Sequence, residues 1–180
     1  MLGQVLAGSR VRPWTLLKEA LSQAMNWIDE RLAVGDINDA MNHDELRRQG
    51  ISGVLSLNDF PTFIAGMGFE WYRVQLLDGP GNKPADLAKA IEVLGDLLQR
   101  HRTLLHCASG VSRAPFVAAA YIAFKRDMPF DDALAEVVRH RPIANPDPAL
   151  LRLWPEYLEY RQNGNGHKPI PDGPKVTAEE

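Results

Sequence analysis

The residues best suited to chemistry lie together in Leu105-His106-Cys107-Ala108-Ser109-Gly110-Val111-Ser112-Arg113-Ala114-Pro115. The only cysteine of the chain and an arginine six positions later bracket five uncharged residues. Consecutive backbone N–H groups in such a loop, closed by the start of a helix, converge into an anion-binding nest. Gly110 permits a backbone turn that bulkier residues resist. Arg113 offers a planar fork of donors to two oxygens of one phosphate. A thiolate at Cys107 is stabilised by the same field, and the thiolate is the nucleophilic form. Cys107 is thus the candidate nucleophile, and Ala108, Ser109, Gly110, Val111, Ser112 and Arg113 are the candidate phosphate-binding positions. His106 reads as a supporting residue that orients the loop by hydrogen bonding rather than by titrating.

Breaking a phosphate monoester also requires an acid to protonate the leaving oxygen. Asp78 is the first candidate, because it follows a strand pattern and opens a mobile-looking Gly-Pro-Gly loop. Asp59, in Asn58-Asp59-Phe60-Pro61, is the second. Either aspartate could equally be a turn former.

The elements that must hold these groups follow from periodicity and breakers. Residues 14–27 carry Leu17, Leu21 and Ala24 at helical spacing after Pro13, with Ile28 next in the series. Residues 31–34 read as a short strand, 43–49 as a short helix closed by Gly50, and 51–57 and 70–76 as strands. Leu87, Ile91, Leu94 and Leu98 mark a helix over 84–100. Residues 103–106 form a very short strand that runs into the Cys107–Ser112 turn and then into a wholly apolar helix over 115–124. Two amphipathic helices follow, and Pro155 is expected to kink or split the second. From Gln162 onward apolar residues nearly vanish, which reads as a disordered tail. Strands alternating with helices predict an α/β single-domain sandwich with a central, mostly parallel sheet of about five strands flanked by helices. Ligands in such sheets sit at the carboxyl ends of strands, where the loop after His106 lies.

Composition bounds the answer further. With 45% apolar and 24% charged residues the 180-residue chain is ordinary globular material, large enough to fold without a disulfide or metal. A net charge of −3 is no footprint for nucleic-acid binding. No apolar run reaches the ~20 residues of a membrane span, and the N-terminus has no secretory pattern. The cytoplasm, which keeps a lone thiol reduced, is the expected compartment. Nothing in the sequence calls for a cofactor or a metal, and nothing in it sets an oligomeric state.

The loop resembles the His-Cys-x5-Arg signature of the cysteine-dependent protein tyrosine phosphatase superfamily. Its surroundings resemble the dual-specificity branch: the strand and loop over 103–113, the segment 36–57 with Asp44-Glu-Leu and Gly50-Ile51 before Val54-Leu55, and Arg141-Pro-Ile-Ala-Asn145. The resemblance implies a catalytic domain over 26–161, between a helical extension at 1–25 and the tail at 162–180. It implies a phosphatase acting on a phosphorylated protein through a cysteinyl-phosphate intermediate, with Cys107 as nucleophile, Arg113 on the phosphate and Asp78 as general acid. Phosphotyrosine is favoured by the uncharged loop, with phosphoserine/threonine open to it if the pocket is shallow. One position departs from the pattern. The family commonly has Ser or Thr after the arginine, and here that residue is Ala114. Two other readings stay open: a phosphate-binding module with poor turnover, and a related phosphatase acting on a glucan or phospholipid.

Overall fold

The computed structural model describes residues 25–58 and 67–165. Five strands form one sheet: β1 (Asn26–Trp27), β2 (Leu32–Gly35), β3 (Ile51–Ser56), β4 (Glu70–Arg73) and β5 (Arg102–His106). Their order is β1-β2-β5-β3-β4. β1 is antiparallel to β2 and every other pairing is parallel. The α/β sandwich with its mostly parallel sheet is as the sequence pattern predicts.

The central strand shows why the sheet is covered on both faces. Successive side chains of a strand point to opposite sides. Leu104 enters a small core with Ala33, Ala40, Leu46, Ile51 and Val54, under α1 (Ile37–Met41) and α2 (His43–Arg48). Leu105 enters the larger core on the other side. That face is closed by α3 (Pro84–Arg100), α4 (Arg113–Arg126), α5 (Phe130–His140) and α6 (Pro148–Tyr160). The α4 sequence is apolar almost all round because it lies between the sheet and other helices, with Ala114 to Ala120 buried throughout. Phe116, Phe130 and Trp154 tie α4, α5 and α6 together through ring contacts at 5.8 and 5.1 Å.

Three expectations need correction or restriction. The helix expected over 14–27 lies mostly outside the described residues, but its last two positions, Asn26 and Trp27, are strand β1. Pro155 does not split α6, which runs through it from Pro148 to Tyr160. Its missing N–H removes a ladder donor, and buried Leu150, Leu153 and Tyr157 hold the helix to the core across that point. Of the tail expected at 162–180, residues up to Asn165 continue α6 as a turn, Arg161–Asn165, with Gly164 at φ +80°. The remainder lies outside the described residues. Helix α1 was not foreseen, since its five residues are too few to show a periodic stripe. Among the described residues no helix is long and apolar enough to cross a membrane.

Candidate active site

The register of β5 delivers the cradle. His106 lies opposite Gly35 of β2 and Ser56 of β3, and the chain leaves the sheet at Cys107. Cys107 is fully buried. The loop then turns at Gly110, whose φ of +66° is left-handed backbone. A side chain there is excluded twice over, because its Cβ would lie 2.7 Å from the Gly35 carbonyl oxygen. Helix α4 begins at Arg113.

What orients this loop is the pull on its carbonyls. The His106 carbonyl accepts from Leu57 N–H at 2.9 Å, Ala108 from Ile37 N–H at 3.3 Å, and Val111 from Asn145 N–H at 2.7 Å. The Cys107 carbonyl accepts from His106 Nδ1 at 3.3 Å, and that of Gly110 from Arg141 Nε at 2.7 Å. In a planar trans peptide the N–H points opposite to the C=O. Each of these five bonds therefore fixes a loop peptide plane, and with it the direction of the amide that follows. The partners come from the end of β3 (Leu57), the start of α1 (Ile37), the segment 141–145 and His106 itself.

Arg113 closes the cradle. Its Nη1 donates to the carbonyls of Leu57 at 3.3 Å and Leu76 at 3.1 Å. Its Nε is buried without a protein acceptor. Nε shares an edge of the guanidinium with Nη2, so anchoring through Nη1 leaves a two-donor edge for an oxyanion.

His106 is buried, and its pKa is lowered to about 4, first by desolvation and further by the Arg113 charge, against the carbonyl of Cys107 and the charge of Asp36. It is neutral near pH 7. To bond a carbonyl, Nδ1 must carry the proton, so Nε2, which is buried without a partner, is the bare nitrogen. That agrees with a positioning role.

Asp78 is exposed, two residues beyond the Leu76 carbonyl that Arg113 grips. Its loop is braced by Asn82, whose side chain accepts from Leu77 N–H at 2.7 Å and donates to the carbonyls of Leu77 and Gly79 at 3.0 Å each. Asp59 lies outside the described residues. Ser109 is exposed and Ser112 nearly buried, its Oγ accepting from Asp147 N–H at 3.0 Å. That bond uses the Ser112 oxygen and leaves its proton to donate. Ala114, in the first turn of α4, is fully buried.

Sequence reasoning overlooked the support behind the loop. Arg141, which in the sequence stands out only within the segment 141–145, is fully buried against Gly110. Asp36 caps α1 by accepting from Asn38 and Asp39 N–H, while Asp39 accepts from Asp36 N–H. That reciprocal pattern in Asp36-Ile37-Asn38-Asp39 was the available signal.

No protein-family model matches the chain. Dual specificity protein phosphatase 26 of Bos taurus is 32% identical over 143 residues, covering 72% of this chain and 66% of that protein. The chain belongs to the dual-specificity branch of the protein tyrosine phosphatase superfamily. Dual specificity protein phosphatase 22 of Homo sapiens is 27% identical over 162 residues, covering 84% of this chain and 88% of that one. The fold likewise matches human DUSP28, with a TM-score of 0.69 at 23% identity over 77% of this chain and 99% of that one. As a member of the dual-specificity branch, the chain carries its cradle at the end of the central strand, behind which β1, α1 and Arg141 are packed.

Proposed function

We propose that this chain is a phosphatase that hydrolyses phosphate monoesters, with phosphotyrosine in a protein as the preferred substrate, in two steps. Cys107 thiolate attacks phosphorus while the loop amides and the Nε edge of Arg113 hold the equatorial oxygens. Asp78 gives its proton to the departing oxygen, then takes one from the water that attacks the cysteinyl-phosphate, which releases phosphate and restores the thiolate. His106 stays neutral and fixes the Cys107 carbonyl. The observation that carries this reading is the buried thiol at the start of a loop with five hydrogen-bonded carbonyls, closed by an arginine whose Nε has no protein acceptor.

The test is hydrolysis of an aryl phosphate in the presence of a chelator. Wild type should turn over, and vanadate should compete for the nest. Cys107→Ser should lose hydrolysis yet still bind vanadate, because its hydroxyl stays neutral at pH 7. Activity retained in that variant, or lost on adding the chelator to wild type, would sink the mechanism.

One observation favours a second reading, a phosphate-binding module with slow turnover. Ala114 puts a methyl group where the family commonly has a hydroxyl, and its full burial leaves it no role at the surface. Single-turnover and steady-state rates on the same substrate separate the two.

A further inference from the structure

Arg141 is an arginine with no solvent exposure, lying at the end of α5 rather than in the cradle. A buried cation is costly unless it is paired and hydrogen-bonded. Its partners are specific. Nε donates to the Gly110 carbonyl at 2.7 Å, and Nη1 donates to Asn26 Oδ1 at 2.7 Å and to the Val34 carbonyl at 3.1 Å. One side chain thereby joins the phosphate loop to β1 and β2. The charges of Asp39 and Asp36 favour its protonated form against the desolvation of its site, and so does that of Cys107. Asp39 is in turn held by Met25 N–H at 3.0 Å, beside Asn26.

We infer that Arg141 is a positioning residue for the proposed phosphoryl transfer, and that strand β1 is coupled to the cradle through it. This role rests on the phosphatase reading and on geometry. Pulling the Gly110 carbonyl outward turns the N–H of Val111, in the same peptide plane, toward the oxyanion. Gly110 has no Cβ to restrict this peptide, so its orientation at a φ of +66° must be imposed by a partner. Arg141 imposes it. Its other hand rests on Asn26, which makes the edge strand part of the support of the active site. A lysine cannot reproduce this, since one ammonium lacks the rigid fork that reaches Gly110 and Asn26 together.

The experiment compares wild type with Arg141→Met and Asn26→Ala. Methionine fills much of the same volume and removes the charge, whereas alanine at 26 removes one acceptor and leaves the guanidinium in place. Three readouts are taken on protein shown to be folded by circular dichroism: kcat on an aryl phosphate, the vanadate inhibition constant, and the Val111 amide resonance. Misplacing one oxyanion donor should lower kcat by about 10- to 100-fold in Arg141→Met, weaken vanadate in step, and shift the Val111 amide. Asn26→Ala should move all three in the same direction by a smaller factor.

A purely structural role would lower the melting temperature and leave kcat, vanadate affinity and Val111 unchanged in the folded protein, and that result overturns the inference. If Arg141→Met does not fold, Asn26→Ala decides by the same criteria. If wild type neither hydrolyses the ester nor binds vanadate, the phosphatase reading fails. The Val111 resonance of Asn26→Ala then still decides whether β1 reaches the loop through Arg141.

Discussion

At the scale of single residues, Ala114 makes the sharpest kinetic claim. Expelling the Cys107 thiolate in the second step creates charge that a neighbouring hydroxyl would stabilise. A hydrogen bond to a charged group contributes ~1.5–3 kcal/mol, which corresponds to roughly 10- to 150-fold in rate. Breakdown of the phosphoenzyme is therefore expected to limit turnover, seen in stopped flow as a burst near one equivalent followed by a slow phase. Ala114→Ser should raise the slow phase and leave the burst rate nearly unchanged. Ser112 is the competing donor, since Asp147 N–H occupies its oxygen but not its proton. If Ser112→Ala slows the second phase and Ala114→Ser does nothing, the hydroxyl already comes from within the loop.

His106 gives a second test at this scale. Burial lowers its pKa from 6.5 to about 4 in the folded chain. The unfolded chain thus binds the proton first as pH falls, and stability from this group declines between about 6.5 and 4. Above that window it makes no difference. His106→Gln should flatten this part of a stability-versus-pH curve measured by urea unfolding. An unchanged curve would show that His106 titrates normally. Cys107, Arg113 and His106 were legible as a set because one short stretch holds them all, and local spacing is what sequence displays best.

Elements and loops were legible in proportion to their length. Helix α3 was legible at roughly its observed bounds, Pro84–Arg100, because its apolar stripe is long. Strand β1, two residues long, and α1, five residues long, lack the length to show any period. Both nevertheless support the site, β1 through Asn26 on Arg141 and α1 through Ile37 N–H on the Ala108 carbonyl. The loop after β4 is the element with the most to lose. If Asp78 is the acid, Asp78→Asn should cut kcat by about 10²- to 10⁴-fold for leaving groups of high pKa. The cut should be much smaller for nitrophenolate, which departs without a proton. Equal losses on both would assign Asp78 a structural role and move the search to Asp59.

Across the whole molecule, the fold class was legible and the support behind the cradle was not. Alternating strands and helices led to the parallel sheet, and the carboxyl end of β5 led to the loop. Arg141 could not be read this way. Its partners Gly110, Val34 and Asn26 are 31, 107 and 115 residues distant in sequence, so no local pattern betrays them. A charged residue next to Pro142 looks like a surface loop until the chain is folded. The same long-range closure is what makes the cradle an assembly of several segments rather than a property of one motif. The central claim is that this assembly serves to pass a phosphoryl group through Cys107. It is tested most directly by mixing enzyme with excess aryl phosphate, quenching in acid within the first turnover, and measuring the mass of the Cys107 peptide. One phosphoryl group on Cys107, absent in Cys107→Ser, is the predicted result. Turnover with no phosphoryl group on Cys107 at any quench time, together with hydrolysis retained in Cys107→Ser, would contradict it.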